Sequence, residues 1–270
     1  MTAVLLDSPP LDVYGQMALD EALLDNGRAD FTLRFFRWAP GSRPSATFGY
    51  FQRFKEVAAS VNGAPLTRRP TGGGIVHHVD DVTFSFAFKW DGTLAPQAIY
   101  KNIHRGVHLG LKQTLKLKTA LWSPPGWRDA STGLSASAPK CETKTACECF
   151  DQPEPMDLVG SDDKKVLGGA LRRRAGRVLY QGSLQLPVSP PPAPSGRPPP
   201  KGEESSSLLP PLGEVARRAD GGDTVELAIL RGFEAEWGED FVKAAAGPEI
   251  LKEAAVRREQ YRSDAWNNKR

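Results

Sequence analysis

The sequence predicts an α+β fold, because helix-like and strand-like segments mix along the chain without a strict βαβ repeat. The clearest strand is "VTFSFAF", in which every second residue from Val82 to Phe88 is large and apolar, a pattern that indicates a half-buried strand. The clearest helix is "AIYKNIHRGVHLGLKQTL", residues 98–115. A chain of 270 residues is long enough for one large domain or two modest ones.

Shorter patterns predict the elements on either side. The segment "YGQMALDEALLDNG" places apolar side chains on one face of an amphipathic helix, and Gly27 can end that helix. The segment "TLRFFRW" then predicts a strand. Further along, "KKVLGGALRRR" and "RVLYQGSLQL" predict the two strands of a hairpin joined through Ala175 and Gly176.

The C-terminal part is predicted to contain two helices. Asp223 and Glu226 have the spacing of a capping box in front of the first helix, and the second spans roughly residues 249–262. Residues 187–213 are rich in proline, a composition that favours a flexible, exposed insertion. Because the tail helices are too short for an independent domain, we expect them to pack on the sheet, giving one domain over residues 1–270.

Composition and charge argue against several classes of protein. The 35 basic and 32 acidic residues leave a net charge of +3, too small an excess for a nucleic-acid surface. No apolar stretch approaches the roughly 18 residues of a membrane helix, and Asp7 and Pro9 break the N-terminal apolar run, so we expect neither a signal peptide nor an anchor. The clustered cysteines at 141, 147 and 149 argue against a disulfide framework. We therefore expect a cytoplasmic protein that binds neither nucleic acid nor membrane.

The most informative stretch is "RRPTGGGIVHHVDD", residues 68–81. Three consecutive glycines let backbone N–H groups approach a carboxylate, phosphate or thioester oxygen, whose charge Arg68 and Arg69 would hold. A tight turn is the alternative for the glycine triplet by itself. His77 and His78 would point to opposite faces of a strand, so one of them can face a site, and His77 is expected to be structural. No phosphate-loop, GxGxxG, HExxH or GxSxG motif occurs.

No metal site is predicted. His104 and His108 share a helical face at a spacing that could bind a metal, but no third ligand is near, so a solvated or capping role is expected. The cysteine spacing C-x5-C-x-C is not a standard zinc pattern either.

Cys149 and Lys165 are candidate reactive residues. Lys165 and the arginine run at 172–174 follow Cys149 closely, and positive charge nearby favours a thiolate. The small residues from Gly168 to Ala170 would let a substrate approach the Lys165 ammonium closely. Taken in isolation, the cysteine could be inert and the lysine a solvated residue before a strand.

Together these segments resemble the lipoate ligase and octanoyltransferase family, within the biotin and lipoate protein ligase superfamily. The similarity begins at "MALDEALL" and "LRFFRW", passes through "PSATFGYFQ", is most specific at "RRPTGGGIVHH", and continues at "KVLGGALRRRAGRVLYQGSL" and "QYRSDAW". The resemblance implies the catalytic-domain fold of that superfamily, a mixed β-sheet with packed helices and a tunnel for an eight-carbon acyl chain. A biotin ligase is not indicated, because the GRGRxGR signature is missing.

The resemblance also implies roles for individual residues. Lys165 is similar to the family lysine that contacts the acyl carbonyl, and Cys149 matches by position the cysteine that becomes acylated in cysteine-dependent octanoyltransferases. The positions that the resemblance assigns to substrate binding are Arg69, Gly72, Gly73, Gly74, His78, Gly168 and Ala170.

Two activities share this scaffold. A lipoate ligase activates a free acid with ATP and Mg²⁺ through an acyl-adenylate, whereas an octanoyltransferase takes an acyl group already activated as a thioester and needs no cofactor. The cysteine favours transfer from octanoyl-acyl carrier protein to the lysine of a lipoyl domain or glycine cleavage H protein. The ligase remains the alternative, and a non-catalytic lipoyl-domain binder is a third hypothesis. Because such partners tend to be acidic, the arginines at 172–174 and Arg177 could form a docking surface, although an exposed charged hairpin would look the same.

Overall fold

The computed structural model describes residues 1–125, 148–186 and 224–269. Its strands are β1 (Ala3–Asp7), β2 (Phe31–Phe35), β3 (Ser45–Phe48), β4 (Leu66–Arg68), β5 (Val76–His78), β6 (Val82–Lys89), β7 (Ala120–Leu121), β8 (Leu158–Val159), β9 (Lys165–Arg174), β10 (Arg177–Leu184) and β11 (Val242–Ala245). Its helices are α1 (Val13–Asn26), α2 (Phe54–Ala58), α3 (Pro96–Thr114), α4 (Val225–Trp237), α5 (Pro248–Arg262) and α6 (Asp264–Asn267). The predicted insertion at 187–213, together with Cys141, Cys147 and Asp223, lies outside the described residues.

Among the described residues, a mixed sheet of eight strands forms the centre of the fold, in the order β11-β1-β2-β6-β10-β9-β8-β7. Strand β1 pairs in parallel with β2 and with β11, and the other neighbouring strands are antiparallel. A smaller sheet has the order β4-β3-β5, and the glycine loop connects β4 to β5. The predicted α+β class with a mixed sheet is therefore confirmed.

Both faces of the central sheet are covered. Phe84, Phe86 and Phe88 of β6 pack in one core with α3 and α4, while Ala87 packs on the opposite face with α1 and α5. The prediction that this strand is half-buried is wrong, because Ser85 is also only 1% exposed. Both faces of the strand are therefore buried. The alternation of large and small residues reflects a difference in the space available to side chains on the two faces, not a difference between a buried and a solvated face.

Helix α1 is buried nearly all round, so the prediction of an amphipathic helix is wrong as well. It lies between the sheet and α5, and even its polar residues Gln16 and Asp20 are fully buried. Arg34 of β2 compensates these two side chains, since it donates to the Asp20 carboxylate at 2.6 Å and to the Gln16 side chain at 2.6 Å. Buried charge is tolerated in this layer because it is paired and hydrogen-bonded.

The β9–β10 hairpin is confirmed with its two-residue connection. Ala175 and Gly176 have φ angles of 49° and 72°, the left-handed conformation that a tight hairpin turn requires. Eight consecutive residue pairs join the two strands, with Gly169 opposite Gly182. This hairpin holds the start of β9, where the candidate lysine lies.

The C-terminal helices pack back on the body of the protein, as predicted. Helix α4 joins the core on one face and α5 packs against α1 on the other. The cap of α4 is Thr224, whose hydroxyl accepts from the Leu227 N–H at 3.2 Å. Strand β11 was not predicted, and it extends the sheet at its β1 edge.

Candidate active site

Cys149 and Lys165 converge on Gly168. A Cβ placed on Gly168 would lie 2.7 Å from the Cys149 Sγ, 2.8 Å from the Lys165 Cε and 3.3 Å from the Lys165 Nζ. Since these distances start from one point, the sulfur and the amine nitrogen lie at most about 6 Å apart. A real side chain at 168 would collide with both groups, so this close approach requires glycine.

Backbone pairing holds the cysteine against the small sheet. The Cys149 N–H donates to the carbonyl oxygen of Ile75 at 2.8 Å, and the preceding residue, Glu148, forms a parallel bridge with Ile75. Ile75 follows the glycine loop directly in sequence. The cysteine, the glycine loop and the start of β9 therefore meet in one place.

The Lys165 ammonium is a buried cation beside the sulfur. Its Nζ lies 2.7 Å from the Asp157 Oδ2, and the two side chains are 5% and 0% exposed. Burial by itself would lower the pKa of Lys165, but the Cys149 sulfur and the Asp157 carboxylate outweigh it and hold that pKa above its ordinary value. At neutral pH the ammonium is available to stabilise a thiolate.

Arg69 is a second buried cation near the sulfur. Burial lowers the pKa of Arg69 to about 10, a shift that the Cys149 sulfur opposes, so the guanidinium stays charged at neutral pH. It donates to the carbonyl oxygen of Gly72 at 2.6 and 3.0 Å and to that of Gly74 at 2.7 Å. These bonds give Arg69 a definite task, which is to hold the glycine loop in shape.

The glycine loop itself adjoins β9. Gly73 has a φ of 88°, in the left-handed region that favours glycine. A Cβ on Gly73 would lie 3.8 Å from that of Ala170. The structure thus brings together the two segments that the sequence assigned to one site, although about a hundred residues separate them in the chain.

Arg68 points elsewhere, so the expectation that both arginines hold a substrate charge is wrong for this residue. Its guanidinium donates to the carbonyl oxygens of Gln52 and Asn267, each at 2.8 Å, and lies over the Phe48 ring at 4.7 Å. Arg68 ties α6 to the loop that follows β3. Arg68 is the last residue of β4 and Arg69 is the next along the chain, and because side chains of adjacent residues along a strand direction point to opposite sides, the two arginines make different contacts.

His77 and His78 point to opposite sides, as predicted. His78 is buried, and its ring lies 3.0 Å from the Thr47 hydroxyl and 3.0 Å from the Asp81 carboxylate. His77 faces the other way, where its ring lies 3.2 Å from Glu148. The inward histidine is therefore part of a fixed hydrogen-bonding group, and the outward one pairs with the residue before Cys149.

His104 is buried rather than solvated, contrary to expectation. Its Nε2 lies 2.7 Å from the Tyr180 hydroxyl, and burial together with the Lys165 charge lowers the pKa of His104 to about 3. His108 bonds instead to the Thr119 hydroxyl at 2.8 Å. Within the described residues, no group of three or more His, Cys, Asp or Glu side chains comes together as metal ligands would.

The arginine run on β9 is largely engaged in internal contacts. Arg174 pairs with Glu21 at 3.1 Å and with Asp25, both on α1, and Arg172 donates to the Pro70 carbonyl oxygen at 2.9 Å. Arg177 is buried and bonds to the carbonyl oxygen of Ala29. Arg173 is exposed and lies over the Trp90 ring at 4.8 Å. Because the other three are engaged internally, these arginines do not form a free docking cluster, and the buried cations near the sulfur are Lys165 and Arg69 instead.

A narrow cavity lies beside the sulfur. Its walls include the predicted residues Arg69, His78, Cys149, Gly168 and Ala170. The apolar side chains of Met17, Phe36 and Val76 also line it. The cavity measures about 20 Å³, enough for roughly one water molecule. An eight-carbon chain could enter only after some of these side chains move.

Sequence reasoning missed Asp157. No motif marks this carboxylate, which lies eight positions before Lys165 in an unremarkable acidic segment. Only the pairing of β8 with β9 brings it to the site, since Leu158 faces Leu167 in that pair. That register places the preceding residue, Asp157, next to Gly168.

In the part of the chain that the structure describes, none of the helices combines the length and the hydrophobicity of a membrane span. Residues 12–190 match the family model of the lipoyl protein ligase A/B catalytic domain. The chain is similar to the octanoyltransferase LipM of Moorella thermoacetica, with 33% identity over 195 residues that cover 68% of this chain and 65% of that protein. It is also 33% identical to the octanoyltransferase LipM of Geobacillus kaustophilus over 180 residues, which cover 63% of this chain and 60% of that protein. The matched regions thus span less than two thirds of the length of these relatives.

Solved structures show the same fold. A putative lipoate protein ligase from T. acidophilum with bound lipoic acid has a TM-score of 0.66 and 21% identity, and the comparison covers 100% of both chains. A lipoate-protein ligase A bound with ATP also has a TM-score of 0.66 and 21% identity, covering 99% of this chain and 98% of that one. The mixed sheet with helices on both faces is therefore the fold of lipoate-protein ligase catalytic domains.

Proposed function

Because the chain belongs to the lipoyl protein ligase A/B catalytic domain family, we propose that it is an octanoyltransferase that works through a thioester on Cys149. Its donor is octanoyl-acyl carrier protein, and its acceptor is the lysine of a lipoyl domain or glycine cleavage H protein. The octanoyltransferases among its relatives support this choice. The proposal assigns residues 1–270 to a single catalytic domain.

One observation carries the proposal: the Cys149 sulfur and the Lys165 Cε lie 2.7 and 2.8 Å from the position that a β-carbon on Gly168 would take. A nearby cation increases the fraction of a thiol that is thiolate, the reactive form, at neutral pH. Lys165 and Arg69 supply two buried cations there, where water does not screen them. An inert structural cysteine requires no such surroundings.

In the first step the Cys149 thiolate attacks the carbonyl carbon of the octanoyl thioester. A new carbon–sulfur bond forms, the carbonyl oxygen takes the negative charge, and the Lys165 ammonium stabilises that oxygen. The bond to the carrier sulfur then breaks, and the carrier leaves as a thiolate. Cys149 now holds the octanoyl group as a thioester.

In the second step the neutral amine of the acceptor lysine attacks the same carbonyl carbon. An amide bond forms, the bond to the Cys149 sulfur breaks, and the proton that the nitrogen loses neutralises the departing sulfur. Aminolysis of a thioester is downhill, so no ATP is consumed. The octanoyl tail would occupy the cavity lined by Met17 and Phe36, and the flexible Met17 side chain can move to admit it.

The test omits ATP. The purified chain is mixed with octanoyl-acyl carrier protein, and the intact mass is measured. We expect one octanoyl adduct that is absent in Cys149→Ser and Cys149→Ala. The matched control is Cys147→Ser, which removes a cysteine two positions away and should retain the adduct.

The same assay separates the alternatives. A lipoate-protein ligase A of similar fold is bound with ATP, so an ATP-dependent ligase is the second candidate. It would give no adduct without ATP and would modify an apo lipoyl domain once ATP, Mg²⁺ and free lipoate are added. If neither condition modifies the lipoyl domain although the chain binds it, the chain is a non-catalytic lipoyl-domain binder.

A further inference from the structure

We propose that Asp157 is the positioning residue of this site, and that it holds the Lys165 ammonium beside the Cys149 sulfur. The inference rests on the proposed function, because it assigns Asp157 a part in that reaction. Asp157 does not need to touch the substrate. It acts through the lysine.

The ion pair is buried and short. The Asp157 Oδ2 lies 2.7 Å from the Lys165 Nζ, and neither side chain is more than 5% exposed. A lysine stem has four rotatable bonds, so without a partner its ammonium could occupy many positions. The carboxylate limits it to a position in which its Cε and Nζ lie 2.8 and 3.3 Å from the place that a Gly168 β-carbon would take, and the Cys149 sulfur lies 2.7 Å from that same place.

The carboxylate is itself held in place. Its Oδ1 accepts from the Tyr100 hydroxyl at 2.5 Å, and its Oδ2 accepts from the Glu154 N–H at 2.7 Å. The Tyr100 ring stacks on that of His104, with 4.0 Å between the ring centroids. Helix α3 therefore helps to fix the position of the Asp157 carboxylate, which contacts Lys165.

The negative charge of the carboxylate also affects the protonation of Lys165. Burial disfavours an ammonium, and a carboxylate in contact counteracts that. If Asp157 lost its charge, burial would act on Lys165 with less opposition, and the lysine would lose its proton at a lower pH. A neutral lysine could stabilise neither the thiolate nor the oxygen that becomes negative in the first step.

Other ionisable groups also surround this ion pair, and each of them can affect the protonation of Lys165. They are Cys149, Glu154, Tyr100, His104 and Tyr180. The Cys149 sulfur is the strongest competitor, because it is the leading influence that raises the pKa of Lys165. The experiment must therefore distinguish the effect of the sulfur on Lys165 from the effect of the Asp157 carboxylate.

The test follows the Lys165 ammonium by NMR on the full chain labelled with ¹⁵N-lysine. The Lys165 signal is assigned by its loss in Lys165→Arg, and Lys164, whose side chain is 83% exposed, is the internal reference. In the wild type we expect Lys165 to stay protonated above the ordinary lysine pKa of about 10.4. In Cys149→Ser we expect its titration to fall, because the sulfur also raises the pKa of Lys165, yet to stay above that ordinary value. In Asp157→Asn we expect its titration to fall by at least about one pH unit.

Tyr100→Phe is the matched control for Asp157→Asn, because it removes a bond to the carboxylate but leaves the charge. We expect it to shift the lysine titration much less. The alkaline limb of the rate of Cys149 acylation should move to lower pH in Asp157→Asn and stay in place in Tyr100→Phe. A purely structural role for Asp157 would change the amount of folded protein but would not move that limb.

Two results would overturn the proposal. The first is an unchanged Lys165 titration in Asp157→Asn. The second is the loss of the elevated titration in Cys149→Ser, which would assign the effect to the sulfur, and this arm decides the matter even if Asp157→Asn fails to fold. The NMR readout needs no substrate, so the absence of an octanoyl adduct would refute the proposed function and leave the role of Asp157 to be decided separately.

Discussion

The sulfur of Cys149 lies 2.7 Å from the point at which a β-carbon would stand on Gly168. A methyl group there would displace the sulfur and the Lys165 side chain together. Because a displacement of about 1 Å can cost a factor of about 100 in rate, we expect Gly168→Ala to slow Cys149 acylation about 100-fold.

The control for this substitution is Gly247→Ala. A β-carbon added to Gly247 would have no atom within 4 Å, and the φ of −64° at this residue suits alanine. This variant should acylate at the wild-type rate. An active, correctly folded Gly168→Ala protein would show that the two side chains do not need to meet at this point.

Arg69→Lys tests whether the glycine loop depends on a branched donor. The guanidinium bonds to the carbonyl oxygens of both Gly72 and Gly74, whereas a lysine has a single nitrogen and cannot reproduce the fork. We expect about a tenfold to 100-fold loss in acylation rate, with positive charge retained and the fold intact by circular dichroism. Arg53→Lys, at a side chain that is 74% exposed, should have no effect. A fully active Arg69→Lys protein would mean that charge by itself is sufficient.

Asp81 links the stability of the fold to pH. Burial would raise the pKa of Asp81, but His78, Arg43 and Thr83 outweigh it and hold that pKa below its ordinary value. The ionised form therefore stabilises the fold above about pH 3.9, the ordinary aspartate value, and this contribution is lost as the pH falls through the lowered pKa of the folded state.

We expect Asp81→Asn to lose about 3 kcal/mol of unfolding free energy at neutral pH, measured by urea denaturation. The difference from the wild type should narrow as the pH approaches that lowered value. Asp91→Asn is the control, since Asp91 is exposed and bonds to Thr93 within its own turn. A difference that stays constant with pH would show that the charge of Asp81 does not contribute.

Arg34 and Arg37 compare a buried and an exposed cation in neighbouring positions. Arg34 pairs with Asp20 with both side chains fully buried, while Arg37 is 51% exposed where it meets Glu226. Arg34→Met leaves a buried carboxylate without its cation and should cost about 3 to 5 kcal/mol. Arg37→Met should cost less than about 1 kcal/mol. Similar melting temperatures for the two variants would contradict this difference.

Local patterns were sufficient for much of the fold. The alternation in β6, the turn residues Ala175 and Gly176 and the helical spacing of residues 98–115 each depend on neighbours in the chain, so they could be predicted without coordinates. Periodicity does not reveal what covers the second face of an element. For that reason the burial of Ser85 and of both sides of α1 was missed.

The candidate site shows the same division. The amino-acid sequence already shows which chemical groups are available: a cysteine, a lysine, a flexible glycine loop and two arginines, with roles implied by a family resemblance. Which of these groups meet depends on the packing of the folded chain. That packing turned Arg69 toward the cysteine and Arg68 away from it, engaged Arg174 with α1, and supplied Asp157 as the partner of Lys165. These outcomes depend on strand register and on packing between segments far apart in the chain, which no local pattern encodes.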